Sequence, residues 1–123
     1  MSLPKIRRPS DVYFSVRLLD QDGVPVEWNA ASNIRADIYN RNRGRVMDVA
    51  DVLDVDESGD VLRMRYPRGG RQSDGPHDIE VSFDLDGRYN CIVVPAFEFY
   101  PPYFSNRLED PGEIPITLKL RRR

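Results

Sequence analysis

Reactive side chains are scarce in this 123-residue chain, which has one cysteine, Cys91, and one histidine, His77. A lone cysteine excludes an internal disulfide, so the fold does not draw on an oxidising compartment. Any Ser/His/Asp or Cys/His arrangement would have to use His77, and no G-x-S-x-G elbow is present. His77 follows Gly75 and Pro76 in what reads as a surface loop, while Cys91 reads as a small core thiol. Two such side chains fall short of the four ligands a structural zinc site needs. No apolar run approaches the roughly 20 residues that cross a bilayer, so membrane insertion is not expected. Excess charge of one sign is missing too. With 18 basic and 20 acidic side chains the net charge is −2, which exerts no general pull on nucleic acid. The start, MSLPKIRRPS, lacks an apolar stretch of signal-peptide length, so no export signal is expected. Residues 1–10 read as an N-terminal extension, with 1–3 matching a cloning remnant, ahead of one domain over 11–123.

What is present is alternation. Val12, Phe14, Val16 and Leu18 share one face of a strand, and DQDG follows as a turn with Gly23 free to take positive φ. Val24, Val26 and Trp28 continue the alternation, with Pro25 marking a sheet edge. Ile34, Ala36 and Ile38 define the next strand, which ends at the turn RNRG. VMDVADVLDV (46–55) is β-branched but irregular in period; helix is a rival, since Val49, Val52 and Leu53 could share a face, and β-propensity favours a bulged strand or two short ones. Leu62, Met64 and Tyr66 face inward from VLRMRY, and PRGGRQSDGPH (67–77) reads as a long loop. Ile79, Val81, Phe83 and Leu85 share a face before Asp86-Gly87, which turns the chain into RYNCIVV as a hairpin. A last strand is expected at about 114–120, from Ile114, Ile116, Leu118 and Leu120. About eight short strands with no long amphipathic helix predict an all-β fold of packed antiparallel sheets, a β-sandwich rather than a barrel.

Four groups of residues invite a chemical reading. Asp54, Asp56, Ser58 and Asp60 take the first, third, fifth and seventh positions of a calcium loop, with Gly59 at the sixth. Arg65 stands where the closing carboxylate belongs, which favours a plain hairpin turn, and no cofactor is expected. Asp84 with Asp86, and Glu109 with Asp110, read as solvated strand ends and loops; a glycosidase would need its carboxylates in a cleft. Arg63, Arg65, Arg68 and Arg71 are basic, but the nearby aspartates cancel their field, and nucleic acid is not the expected partner. The fourth group is PAFEFYPPYFS (95–105). Phe97 and Phe99 have strand spacing and can enter the core, whereas Pro101-Pro102 is expected to force an extended, polyproline-like path. The later rings then either cap the end of the fold or offer aromatic anchors to a partner chain or a sugar face. Phe99, Tyr100, Tyr103 and Phe104, with Trp28 beside them, are the candidate partner-binding residues.

With the strands placed, DVYFSVRLLDQDGVPVEW resembles the opening of the immunoglobulin-like domains of phage and prophage baseplate and tail proteins, where an alternating strand runs into D-x-x-G-x-P-V/L. IRADIYNRNRGRV, ESGDVLRMRYP and DGRYNCIVVPAFEF resemble the following strand and turn, the central hairpin and the late strand ending in Ala-Phe-Glu-Phe. The similarity runs in order over about residues 11–100 and is nearest to versions from Bacteroides-like bacteria and their phages. It implies an immunoglobulin-like, non-enzymatic structural or binding module of a virion, found in the virion or in the bacterial cytoplasm before assembly, and it carries no catalytic residues. Family members often continue into a fibre region, where this chain has PPYFSNRLEDPGEIPITLKLRRR instead. The alternative expectation is a carbohydrate-binding or adhesin module on a bacterial cell surface. Self-association is a further partner expectation.

Overall fold

The computed structural model describes residues 3–44 and 47–121. Nine strands follow in chain order: β1 (Lys5–Arg7), β2 (Val12–Leu19), β3 (Pro25–Val26), β4 (Ala31–Asn40), β5 (Met47–Val55), β6 (Val61–Tyr66), β7 (Gly75–Leu85), β8 (Arg88–Tyr100) and β9 (Glu113–Lys119). Short 3-10 turns at Trp28–Ala30 and Arg41–Arg43 complete the regular structure. No helix among the described residues is long and apolar enough to cross a membrane. The all-β expectation holds.

The strands form one mixed sheet in the order β1-β8-β7-β4-β5-β6-β2-β3, with β9 also against β2. β5 belongs to both halves of this path. Its first residues pair with β4 through Ala36↔Ala50, and from Asp51 onward it pairs with β6. A register shift between Val52 and Asp54 supplies the bulge that the irregular sequence predicted. The expected separate sheets are therefore joined through β5, and the pairing is not wholly antiparallel: β1 with β8 and β2 with β9 run parallel. The sheet curls so that strands with no shared hydrogen bond meet through their side chains. Phe14 of β2 lies 5.9 Å from Phe97 of β8, ring centre to ring centre, and Tyr66 of β6 lies 6.1 Å from Phe99.

Alternation decides what that interior holds. Val12, Phe14, Val16 and Leu18 of β2 are all buried, as are Leu62, Met64 and Tyr66 of β6 and Ile114, Ile116 and Leu118 of β9. The β7–β8 hairpin turns at Asp86 and Gly87, whose φ values of 52° and 75° are those of a two-residue type I′ turn. Residues 1–10 are not a detached extension where the structure describes them. Lys5–Arg7 pairs with Glu98–Tyr100, and Ile6 is buried in the core. Met1 and Ser2 lie outside the described residues.

Asp48 is one of the anchors of the loop after β6, beside Asp11, which accepts from the Arg68 N–H at 2.8 Å. Asp48 Oδ2 accepts from the Arg71 backbone N–H at 2.6 Å and from the Tyr66 hydroxyl at 3.2 Å. Burial, reinforced by Asp48, raises the Tyr66 phenol well above its ordinary value. Gly70 threads between these groups. A Cβ there would lie 2.5 Å from Asp48 Oδ2 and 2.7 Å from Tyr66 Cε1, whereas one at Gly69 would meet nothing within 4 Å. Gly70→Ala is therefore expected to cost about 1–3 kcal/mol by overpacking, read as a lowered Tm, with Gly69→Ala close to wild type. Equal melting of the two variants would mean that Asp48 does not anchor the loop.

Candidate aromatic docking cleft

The aromatic segment starts as the end of β8. Phe97 and Phe99 pair with His77 and Gly75 across the β7 ladder and are buried at 0% and 2% exposure. Phe99 is thus a core residue and not a surface anchor. So is Trp28, whose side chain is 1% exposed, donates from Nε1 to the Val16 carbonyl at 2.9 Å, and sits edge-on to Phe83 at 5.5 Å. The alternation Val24-Val26-Trp28 suggested a strand-borne ring. Instead β3 ends at Val26 and the 3-10 turn tips the indole into the core.

Beyond Tyr100 the path departs from expectation again. Pro101 to Phe104 closes a turn in which the Phe104 N–H donates to the Pro101 carbonyl at 3.0 Å. Pro102 falls at the second position, where its fixed φ favours the bend rather than an extended run. The turn folds Phe104 back on Tyr100, ring centres 4.5 Å apart and planes inclined at 57°. It also carries Tyr103 at its outer corner, 84% exposed.

β1 secures this arrangement from the other side. The Arg8 N–H donates to the Tyr100 carbonyl and the Glu98 N–H to the Pro4 carbonyl, both at 2.9 Å. Arg7 Nη2 reaches the carbonyls of Phe104 and Asn106 at 2.8 and 2.7 Å, pinning the loop to the strand. Lys5 holds its ammonium 5.9 Å from the centre of the Tyr100 ring. Between β1 and the 101–112 loop lies a cleft of about 470 Å³, lined by Leu3, Pro4, Lys5, Tyr100, Phe104 and Asn106 among others. Arg107, Glu109 and Asp110 line the same cleft, so its wall carries both signs of charge. Of the five residues put forward from the sequence, the structure brings Tyr100 and Phe104 together in this cleft and places Tyr103 on the same turn. Sequence reading missed Lys5, Arg7 and the N-terminal wall, because a three-residue strand leaves no periodicity to detect.

Comparison with protein-family models, with curated proteins and with solved structures finds no match.

His77 and Cys91 exchange the roles expected of them. His77 lies within β7, 2% exposed, stacked on Phe97 at 4.9 Å and 8° and edge-on to Phe99 at 5.0 Å. Its Nδ1 lies 2.8 Å from the Gly75 carbonyl, which can only accept, so the proton sits on Nδ1. Gly75 and Pro76 looked like loop residues, yet they open the strand that buries this ring. Cys91 is exposed on the outer face, where Sγ donates to Glu80 Oε1 at 2.7 Å. Partial burial and the Glu80 carboxylate raise its pKa, the reverse of thiol activation. Glu80 also bonds the Tyr39 phenol, whose pKa is pushed up to about 12.

Burial lowers the His77 pKa, against smaller raising effects of the Gly75 carbonyl and Asp78. A folded value below the unfolded one of about 6.5 means the unfolded chain takes the proton first. The associated stability is full above about pH 6.5 and is lost as the pH falls through the folded value. Wild type should therefore lose more Tm between pH 7.5 and pH 5 than His77→Phe. Parallel pH profiles would show that His77 does not titrate on unfolding.

The calcium-loop residues do not converge. Asp56 Oδ1 accepts from the Ser58 hydroxyl at 2.9 Å and from the Val61 N–H at 3.2 Å. These bonds, the Val61 one foremost, hold the Asp56 carboxyl below its ordinary value. Asp54 faces Arg63 across the ladder at 3.8 Å. Among the described residues no group of three or more His, Cys, Asp or Glu side chains is placed to hold a metal ion. The segment serves as a hairpin turn, and the Gly59 carbonyl accepts from the Trp28 N–H at 2.8 Å. Arg65 pairs with Asp51 at 2.9 Å, so the strand arginines stand beside β5 aspartates.

Proposed function

We propose that this protein is a non-enzymatic binding module with an immunoglobulin-like β-sandwich plan, acting in the assembly or attachment apparatus of a phage or prophage tail. The tail assignment rests on the resemblance of residues 11–100 to baseplate and tail domains. The observation that carries the binding role is the posture of Tyr103. An 84% exposed ring stands on the proline turn that Arg7 ties to β1, the same turn that folds Phe104 onto Tyr100 in the cleft lining. A large ring on a backbone already fixed before binding leaves only its own rotamers to order on docking, which suits an interface anchor. The charges of Lys5, Arg107, Glu109 and Asp110 would set the orientation of a partner chain around it. Exposure in a virion, or in the cytoplasm before assembly, suits a fold that uses no disulfide.

The carbohydrate alternative has less support. Stacking on a sugar favours open, flat ring faces, and here Tyr100 and Phe104 spend theirs on each other at a 57° inclination.

Co-expression with the products of the genes that flank its own tests the proposal, which expects tail or baseplate proteins among them. Wild type should purify in a defined complex. Tyr103→Ala should weaken that complex about 30-fold, the effect of a hot spot worth about 2 kcal/mol, without lowering Tm. Binding to none of those proteins, or equal binding by the variant, would contradict it.

A further inference from the structure

We infer that β8 has a second interaction surface, its free edge, and that the occupant is the same edge of a second copy of this chain, paired antiparallel about a two-fold axis through Cys91. Among the described residues, β8 pairs with β7 along its length, whereas on its other side it pairs only with β1 at Glu98–Tyr100. The stretch from Arg88 to Pro95 is left with one edge open. The two-residue turn fixes which groups that edge offers. Leu85 and Arg88 close the hairpin as a hydrogen-bonded pair, so the backbone groups of Tyr89, Cys91 and Val93 point away from β7. An unpaired edge of this kind is a template for strand addition.

Three features select a second copy and one register. From Tyr89 to Pro95 the edge carries no charged side chain, so it can face itself without like-charge opposition. Tyr89 and Val93 are 66% and 53% exposed, and a two-fold through Cys91 sets each opposite the other. Pro95 then falls opposite Gly87 of the partner's turn, beyond the ladder, where its missing N–H leaves no acceptor unmet. The N-terminal segment excludes registers shifted the other way. Continuing the parallel pairing back from Lys5↔Glu98 puts Leu3 beside Ala96, so an axis at Ile92 or Val93 would drive the partner's Arg88 into residues already beside β8. The Cys91 axis gives the longest ladder the edge allows, three reciprocal pairs, Tyr89↔Val93, Cys91↔Cys91 and Val93↔Tyr89.

The test is sedimentation velocity over a concentration series, with thiol cross-linking by a short bismaleimide. Facing Cα atoms in a hydrogen-bonded pair lie about 5.5 Å apart, so the wild-type dimer should cross-link through Cys91 alone. Val93→Pro removes an N–H that points away from β7, and it should raise the dimer dissociation constant tenfold or more. Val93→Thr keeps that N–H and should dimerise as wild type. Cys91→Lys, whose ammonium can meet Glu80 within its own copy, sets like charges opposite each other on the axis and should likewise raise the dimer dissociation constant tenfold or more. A monomer at every concentration would overturn the inference. So would a dimer that survives Val93→Pro or Cys91→Lys, or one that does not cross-link at Cys91.

Discussion

Trp28→Ala should destabilise the fold by about 3–5 kcal/mol, the range for emptying a buried tryptophan site. The side chain is 1% exposed, edge-on to Phe83, and its Nε1–H satisfies the Val16 carbonyl. It stands where β3, the turn carrying Gly59 and the two halves of the sheet come together. Domains of this size hold about 5–15 kcal/mol in all, so the variant should lie near the limit of folding. Trp28→Phe refills much of the volume but leaves the carbonyl without its donor, and should cost about 1–3 kcal/mol. Urea unfolding followed by circular dichroism separates the two. Equal losses would assign the effect to the hydrogen bond, and a small loss for alanine would mean that the indole is not a core residue.

Phe97→Ala is the second large effect, again about 3–5 kcal/mol. This ring touches four others, Phe14, Tyr66, His77 and Phe99, with centres between 4.7 and 6.4 Å away. It also covers the face of His77. Removing it admits water to the imidazole, so the lowered His77 pKa should move back toward its ordinary value and the pH dependence of stability should flatten. Tyr103→Ala, six residues along, should change stability by no more than about 0.5 kcal/mol. The pair of variants divides the aromatic segment into the part that folds the protein and the part that faces outward.

Much of the fold was legible because burial on one face of a strand writes period two into the chain. β2, β6 and β7 bury the residues their alternation named, β9 buries Ile114, Ile116 and Leu118 but ends before the half-buried Leu120, and Asp86-Gly87 takes the two positive φ values its turn type requires. The misreadings occur where local signals conflict with a longer-range one. Gly75 and Pro76 carry loop propensity, yet pairing with β8 extends β7 through them and buries His77. Cys91 has the apolar neighbours of a core residue, but the hairpin turn sets its parity outward. A register shift between His77 and Asp78 then reverses the parity of β8 and turns Phe97 and Phe99 inward. Pro101-Pro102 suggested extension, but the turn depends on a hydrogen bond across it and on Arg7 from the far end of the chain. Such contacts, joining residues almost a hundred positions apart, leave no periodic trace. For the same reason the cleft was visible from the sequence only as a concentration of rings.

A two-dimensional NOE spectrum of the aromatic protons tests the central claim directly, since the curled sheet brings together rings on strands that share no hydrogen bond. Cross-peaks are expected between Phe14 and Phe97 and between Trp28 and Phe83, with Tyr103 contacting neither group. Absence of the Phe14–Phe97 and Trp28–Phe83 peaks, or Tyr103 joined to the core rings, would contradict both the curl and the division of the aromatic segment between interior and surface.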